Sequence, residues 1–495
     1  MARTFRRVVI RLILTLTSAA PVYAQARPAH ALGQAPMQTS SSQAPAAAPG
    51  SSLTQITNDA IGWLQDLIRI NTTNPPGNEM AVAKYIGALL EKEGIHAETF
   101  ESAPGRGFLV ARLNASAVPD PSKALLLMAH MDVVGADKSK WTSDPFAATM
   151  QDGYIYGRGA IDDKGMLVAN LAVFISLKRS GARLNRDVIF LAESDEENGG
   201  QQGIQFAVEK HWDKIASGFA INENGRVIVK NGKPVYVGIQ TDEKVAMNLD
   251  VIATGTAGHA SVPRKDNPVT HLAAAMAKIG GFEAPVQFNS VTRAFFEGLA
   301  PTQDEETRKW LQALGSADRG DHAARWISDA NPSWNAMLRD TATPTMMQAG
   351  IRANVVPSEA RGVVNVRLLP GNQLEPLVSK LKQLVNDPAV RIEVEPGGGE
   401  ASPSSSQSSE LYAAIARVSA REFPGTPVLP MMSTGFSDSW ELRMRNVQSY
   451  GLVPFPMTDE DWSRVHGDNE RIPVDGFRKG IDFLNAIVTE FAVAK

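Results

Sequence analysis

Ala124-Leu125-Leu126-Leu127-Met128-Ala129-His130-Met131-Asp132 is a run of aliphatic side chains that ends abruptly in an imidazole and a carboxylate. A short run that is apolar at every position, not every second one, fits a strand buried on both faces of a parallel sheet. The pattern recurs twice. Val188-Ile189-Phe190-Leu191-Ala192 leads into Glu193, Asp195, Glu196 and Glu197, and Gly218-Phe219-Ala220-Ile221-Asn222 leads into Glu223. In open α/β sheets ligands collect beyond the carboxyl ends of the strands. Three such ends bearing His, Asp and Glu would concentrate negative charge that a bound cation readily compensates, so the pattern reads as a metal site.

Around these strands the periodicity alternates between helix and strand, which predicts an α/β sheet. Ile56, Ala60, Ile61, Leu64, Leu67 and Ile68 mark a first amphipathic helix, and Val82, Ile86, Leu89 and Leu90 a second, with the Asn74-Pro75-Pro76-Gly77 break between them. After Lys244 the character changes. Val245 to Thr254 and Gly362 to Leu369 read as strands of another sheet, with helices near 268–279 and 374–386, so an inserted α+β domain is expected over 244–399. Residues 286–345, helix-like around Phe295 and Trp310, are expected to elaborate that insert. The first domain, begun at 53–243, is expected to resume over 400–495 with helices at 410–421 and from Val474 onward.

Size and composition agree with this division. A chain of 495 residues exceeds one ordinary core. The net charge of −4 and the absence of basic runs with interleaved aromatics argue against a nucleic-acid partner. Arg3, Arg6, Arg7 and Arg11 precede the apolar stretch Leu12 to Ala20, and Val22-Tyr23-Ala24 offers small residues for cleavage, so residues 1–24 read as a secretory signal peptide. The ordinary export route suits it better than the twin-arginine route that Arg6-Arg7 hints at. The stretch is far shorter than the ~20 residues a membrane span needs. Residues 25–52, mostly Ala, Pro, Ser and Gln, have little to bury and read as a disordered linker. A periplasmic or secreted protein is expected. It has no cysteine, so it has neither disulfides nor thiolate ligands, and any metal must be held by His, Asp and Glu.

Each motif has a plain reading beside the chemical one. His130 and Asp132, two apart in extended backbone, point the same way, and the carboxylate can orient the imidazole; alone, such a histidine is more often structural. The glycine-dense turn from Asp152 to Gly165 could be a hairpin and helix cap, but its carboxylates could also bridge two cations. An acidic run such as 193–197 is ordinarily solvated. Following a buried strand directly, adjacent glutamates point in different directions, so one can bind metal while its neighbour handles a proton.

Together, His-Met-Asp-Val-Val (130–134), Gly-Arg-Gly-Ala-Ile-Asp-Asp-Lys-Gly (157–165), Asp-Glu-Glu (195–197), Asn-Glu-Asn-Gly (222–225), Gly-His-Ala-Ser (258–261), Asn-Val-Val-Pro (354–357) and His466 resemble, in this order, the dinuclear zinc exopeptidase and amidohydrolase family. That family includes aminoacylase, glutamate carboxypeptidase, carboxypeptidase S and succinyl-diaminopimelate desuccinylase. The likeness covers roughly residues 55–490. It implies a catalytic domain with a mixed, mainly parallel sheet flanked by helices, and an inserted α+β lid or dimerisation domain. It further implies that Asp162 bridges two Zn²⁺ ions, with Co²⁺ or Mn²⁺ as alternatives. His130 and Glu223 would complete one site, and Glu197 and His466 the other. Glu196 would be the general base, Asp132 would orient His130, and the Asp162-Asp163 peptide would be cis. His259 would polarise the substrate carbonyl. Asn354, Arg367 and Gly435 would hold substrate, the arginine suiting a free carboxylate. The sequence departs from the family pattern at Asn222, usually acidic, at Asn224, often glycine, and in the loop 434–440.

The function expected is hydrolysis of the amide bond of small peptides with a free C-terminal carboxylate, with N-acyl-amino-acid hydrolysis as the close alternative. In relatives the insert often mediates dimerisation, so the resemblance allows a homodimer through the lid, although the extra 286–345 piece could block or replace that surface. Two α/β lobes behind a signal peptide would equally suit a solute-binding protein, but such a protein needs no base beside a bridging carboxylate. A catalytically dead scaffold usually lacks a ligand, and none is lost here.

Overall fold

The structure, a computed structural model, describes residues 49–494 apart from 117, 317, 397 and 398. The expected signal peptide (1–24) and residues 25–48 of the expected linker lie outside the described residues. The last part of that linker is instead helical, since the first helix spans Pro49–Arg69.

The three apolar runs that opened the reading lie side by side. Leu125–His130 is flanked in parallel by Val188–Glu193 and Phe219–Lys230, and the latter is flanked in parallel by Gln448–Met457. Antiparallel strands extend the sheet on one side, Arg106–Leu113 and then Ala97–Ala103. On the other side lie Lys233–Glu243 and the parallel edge strand Val428–Ser433, giving eight strands in all. Every residue of Leu125–His130 and of Val188–Glu193 is buried, as unbroken apolar runs require of a strand covered on both faces.

Alternation still sorts the side chains. Leu125, Leu127 and Ala129 enter one core with the helices Pro49–Arg69, Lys164–Arg179 and Val474–Ala492. Leu126 and Met128 enter the opposite core with Ile204, Ala207 and Leu442. Lys164–Arg179 is buried around its whole circumference up to Leu177, because the sheet lies on one side and the two terminal helices on the other.

The second sheet is antiparallel and lies within 244–399 as expected, in the order Thr341–Ala349, Glu359–Leu368, Val245–Thr254, Val390–Val394. The helices Pro268–Gly280 and Leu374–Val385 share its core. Two expectations fail here. Residues 341–345, expected within the helical elaboration, belong instead to the edge strand Thr341–Ala349; it is mostly exposed, so it lacks the inside-outside alternation that marks a half-buried strand. The helices preceding it, Ser290–Leu299, Glu305–Ala313, Gly320–Ala330 and Pro332–Leu338, do not join the lid's core. Phe295, Phe296 and Leu299 pack with Tyr236, Leu429 and Met431, covering the far edge of the eight-stranded sheet. Buried Lys244, at the start of the lid, ties the two parts by donating to the carbonyls of Ala336 (3.1 Å) and Arg339 (2.9 Å).

Candidate dinuclear metal centre

Register places the site. His130 pairs with Glu193, so the strands Leu125–His130 and Val188–Glu193 end level with each other, and the turn carrying Glu196 and Glu197 follows at once. Glu223 comes from a different position than its apolar run suggested. It lies inside the long strand Phe219–Lys230, whose pairing with Leu125–Leu127 stops at Ile221. Asn224, next in line, has φ of 84°, a conformation that asparagine tolerates better than most residues, which accounts for asparagine standing where relatives often have glycine. At Gly225 a side chain would run into the carbonyl of Gly451 on the neighbouring strand.

Asp162 lies in the loop before the helix Lys164–Arg179, and its two oxygens face different histidines. Oδ1 is 3.0 Å from His130 Nε2, and Oδ2 is 3.0 Å from His466 Nε2. Glu223 Oε2 lies 4.0 Å from His130 Nε2, and Glu197 Oε1 lies 3.0 Å from His466 Nε2. The result is two triads, His130–Asp162–Glu223 and Asp162–Glu197–His466, each with one ligand atom per residue within 4.8 Å of the others. Asp162-Asp163 is a cis peptide, and His466 adopts a positive φ of 60°.

The electrostatics fit a pair of cations. Burial pushes the Glu223 and Glu196 carboxyls well above the usual range, and repulsion from Asp162 and from Glu223, respectively, adds to it. Burial acts on Asp162 in the same direction, but hydrogen bonds and charge from His130 and His466 hold it below the ordinary value. Hydrogen bonds to Asp162 and Glu197 raise the His466 imidazole to about 10. His130 is raised too, despite its burial, by Asp132 and Asp162. Both Asp163 oxygens are buried beside them without a hydrogen-bond partner. Such a donor set, oxygen and nitrogen only, accepts Zn²⁺, Co²⁺ or Mn²⁺.

Asp132 touches both His130 and the acidic turn. The nearer acceptor for His130 Nδ1 is the main-chain oxygen of Asp132 at 3.0 Å, with the carboxylate Oδ1 at 3.5 Å. The carboxylate also receives the backbone N–H groups of Glu196 (3.3 Å) and Glu197 (3.2 Å) and the Asn74 amide (2.8 Å). It therefore holds the imidazole and the acidic turn together. Asn74 also donates to Asp195, whose carboxylate accepts from Arg106 and from the Gln202 N–H.

The lid residues divide. Arg367 is largely buried and within electrostatic reach of the Glu196 and Glu243 carboxylates. Its Nε donates to Asn365, while its Nη1 is buried without a partner. His259 and Asn354 are not brought to the triads. His259 is exposed and bonds to Ser261 (2.7 Å), and exposed Asn354 accepts from the Ala260 N–H, so the carbonyl-polarising role expected of His259 is not assembled in this arrangement. Gly435 donates its N–H to Ser433, and Asp438 of the same loop is buried beside Glu193, its carboxyl pushed by burial up to about 7.

Asn74, Arg106, Arg158 and Glu470 also support the site. Their sequence signals are weak: Arg158 lies inside the Gly-Arg-Gly motif, Glu470 follows His466 by four residues, Asn74 sits in a Pro-Gly break, and Arg106 carries none.

A mixed sheet with an antiparallel lid, and two acidic triads sharing one carboxylate, define a hydrolase of the metallopeptidase and amidohydrolase class. A family model, Peptidase family M20/M25/M40, matches residues 126–490, and the chain belongs to that family. Among curated relatives, the human N-fatty-acyl-amino acid synthase/hydrolase PM20D1 is 30% identical over 384 residues, covering 74% of this chain and 74% of its own length. The probable carboxypeptidase S-like 2 of Dictyostelium discoideum is 27% identical over 392 residues, covering 76% of this chain and 73% of its own. Among solved structures, the M20 family metallo-carboxypeptidase Sso-CP2 from Sulfolobus solfataricus superposes with a TM-score of 0.65 at 21% identity, covering 88% of this chain and 99% of that one. Human carnosine dipeptidase 1 gives 0.66 at 16%, covering 90% and 99%. These two likenesses speak for the fold. The solute-binding reading gives way to a hydrolytic enzyme.

Proposed function

We propose that the protein hydrolyses an amide bond adjacent to a free carboxylate, the bond shared by small peptides cut from the C-terminal end and by N-acyl amino acids. The observation that carries this reading is the buried, unpartnered Nη1 of Arg367, a guanidinium within electrostatic reach of Glu196. A guanidinium fork suits a carboxylate, and a buried donor without a partner is costly until a ligand supplies one.

His130, Asp162 and Glu223 would hold one divalent cation, and Asp162, Glu197 and His466 a second. When bound, such ions supply a Lewis acid for the carbonyl and lower the pKa of water toward ~7. Glu196 takes a proton from the attacking water as the new carbon–oxygen bond forms. As the carbon–nitrogen bond breaks, the same carboxyl passes that proton to the leaving amine, so acid and amine depart and Glu196 is restored. Asp132 keeps Glu196 in place through the backbone of its turn.

Export is part of the reading, on the strength of Arg3 to Ala24, as is a homodimer through the lid. The latter is supported by the exposed edge strand Thr341–Ala349, where Met346 and Met347 are half exposed, and by Ile351 beyond it. A second copy there, or movement of the lid, would be needed to bring His259 to a site. Release of product from a panel of dipeptides, N-acyl amino acids and their carboxyl-amidated analogues, with zinc added, tests the main proposal. Cleavage confined to the free acids supports it, and equal cleavage of the amidated forms contradicts it.

A further inference from the structure

The helices over 290–338 have no part in the reaction proposed above, yet they close a cavity against the eight-stranded sheet. Phe295 and Trp334 of those helices line it from one side, and Arg226, Tyr236 and Met431 of the sheet from the other. Its volume of about 80 Å³ is room for roughly five to eight waters, enough for the body of a small α-amino acid. Neither triad contributes a residue to it, and neither does Arg367.

The charged groups of this cavity are unmatched. The Arg226 guanidinium lies over the Trp462 ring, 5.0 Å from its centroid, and makes no hydrogen bond or ion pair among the described residues; its Nε is buried. Stacking covers the face of a guanidinium and leaves free the N–H edge that forks a carboxylate. A sheltered cation without an anion is costly, so the cavity favours a ligand that brings one. Asp459 lines the same cavity with the opposite charge, and among the described residues no ion pair joins it to Arg226. Both charges lie within electrostatic reach of the buried Tyr236 hydroxyl. The remaining wall is apolar and adaptable, since Met337, Met431 and Met432 offer flexible thioethers beside the Phe295 ring. We propose that the helices over 290–338 build a second ligand site, which takes a free α-amino acid with a small apolar side chain. Its carboxylate meets Arg226, its ammonium meets Asp459, and its side chain lies among the methionines. The site is separate from the hydrolytic one and stands whether or not the reaction is cleavage beside a free carboxylate.

The experiment is calorimetric titration of the zinc-loaded full chain with L-leucine, with 4-methylpentanoate, which lacks the ammonium, and with L-leucinamide, which lacks the carboxylate. Wild type and Arg367→Met are both expected to bind leucine, because the pocket does not use Arg367, and to bind the two analogues more weakly. In the Arg367→Met background, Arg226→Met is expected to weaken leucine binding at least ~30-fold, as loss of a sheltered charge partner does. Ser333→Trp fills the cavity from an exposed position on the helix Pro332–Leu338 and is expected to cause the same loss with the guanidinium intact, which keeps the test open should Arg226→Met fail to fold. Melting temperature identifies a variant that has merely unfolded. An Arg367→Met protein that binds no leucine, or folded Arg226→Met and Ser333→Trp variants that keep its affinity, would overturn the site. Equal affinity for 4-methylpentanoate would overturn the amino-acid assignment by removing Asp459 from it.

Discussion

Arg158 and Glu470 form a fully buried ion pair, Nη1 to Oε2 at 2.6 Å, that fastens the loop of Asp162 to the loop of His466. Arg158 also donates to the carbonyls of His466 (3.1 Å) and Gly467 (2.9 Å). Glu470 accepts from the backbone N–H groups of Gly159 (3.2 Å), Ile161 (2.8 Å) and Asp162 (3.2 Å). Both oxygens thus face donors only, so a glutamine there would turn an amide N–H₂ against them. Glu470→Gln should weaken metal binding by about 10–100-fold, as loss of a group supporting the ligands typically does. Zinc titration calorimetry checks this; unchanged affinity would detach Glu470 from the site.

Glu196, the proposed base, belongs to neither triad. Glu196→Gln should keep the wild-type metal content and lose on the order of 10²–10⁴ in kcat. Turnover close to wild type, with metal content verified, would remove Glu196 as the base.

Arg367→Met removes the fork proposed to bind the substrate carboxylate. KM for free-acid substrates should rise at least ~30-fold, in line with the loss of a buried charge partner, and the preference over amidated analogues should disappear. Steady-state kinetics on one acid and amide pair decides it; a retained preference places the carboxylate elsewhere.

Asp242 offers a pH test away from the triads. Burial pushes its carboxyl from the ordinary 3.8 up to about 6, although Ser404 and the Glu243 N–H bond to it. The folded chain therefore holds this proton more tightly than the unfolded one, and the group's contribution to stability falls as pH rises from about 4 to 6. Asp242→Asn can accept from the Glu243 N–H and donate to Ser404 without carrying charge. It should be more stable than wild type above pH 6, by on the order of 3 kcal/mol, with the gap closing toward pH 4. Denaturant melts across this range measure the difference; a gap independent of pH would refute the assignment.

The buried strands and the ligands on them were legible because unbroken apolar runs and the polar residues ending them are local features. Glu223 was found, yet its setting was misread, since where a strand changes partners is decided by neighbours such as Gly451, far along the chain. Thr341–Ala349 was missed because an exposed edge strand leaves no burial pattern to read. The helices over 290–338 were assigned to the wrong lobe, because nothing in their own sequence says that Phe295 meets Tyr236. Glu470 escaped for the same reason: its partners are a guanidinium and backbone N–H groups 308–312 residues away. His259 shows the reverse case, a motif that is plain in sequence but whose exposed ring bonds Ser261 and joins neither triad in one chain.

The bridging position of Asp162 is tested most directly by the zinc stoichiometry of the purified protein and of Asp162→Ala, measured by calorimetric titration with elemental analysis. The expected result is two equivalents bound per wild-type chain and neither held tightly by the variant. A wild type that takes up one ion or none, or an Asp162→Ala protein that keeps both, would contradict a centre built on one shared carboxylate.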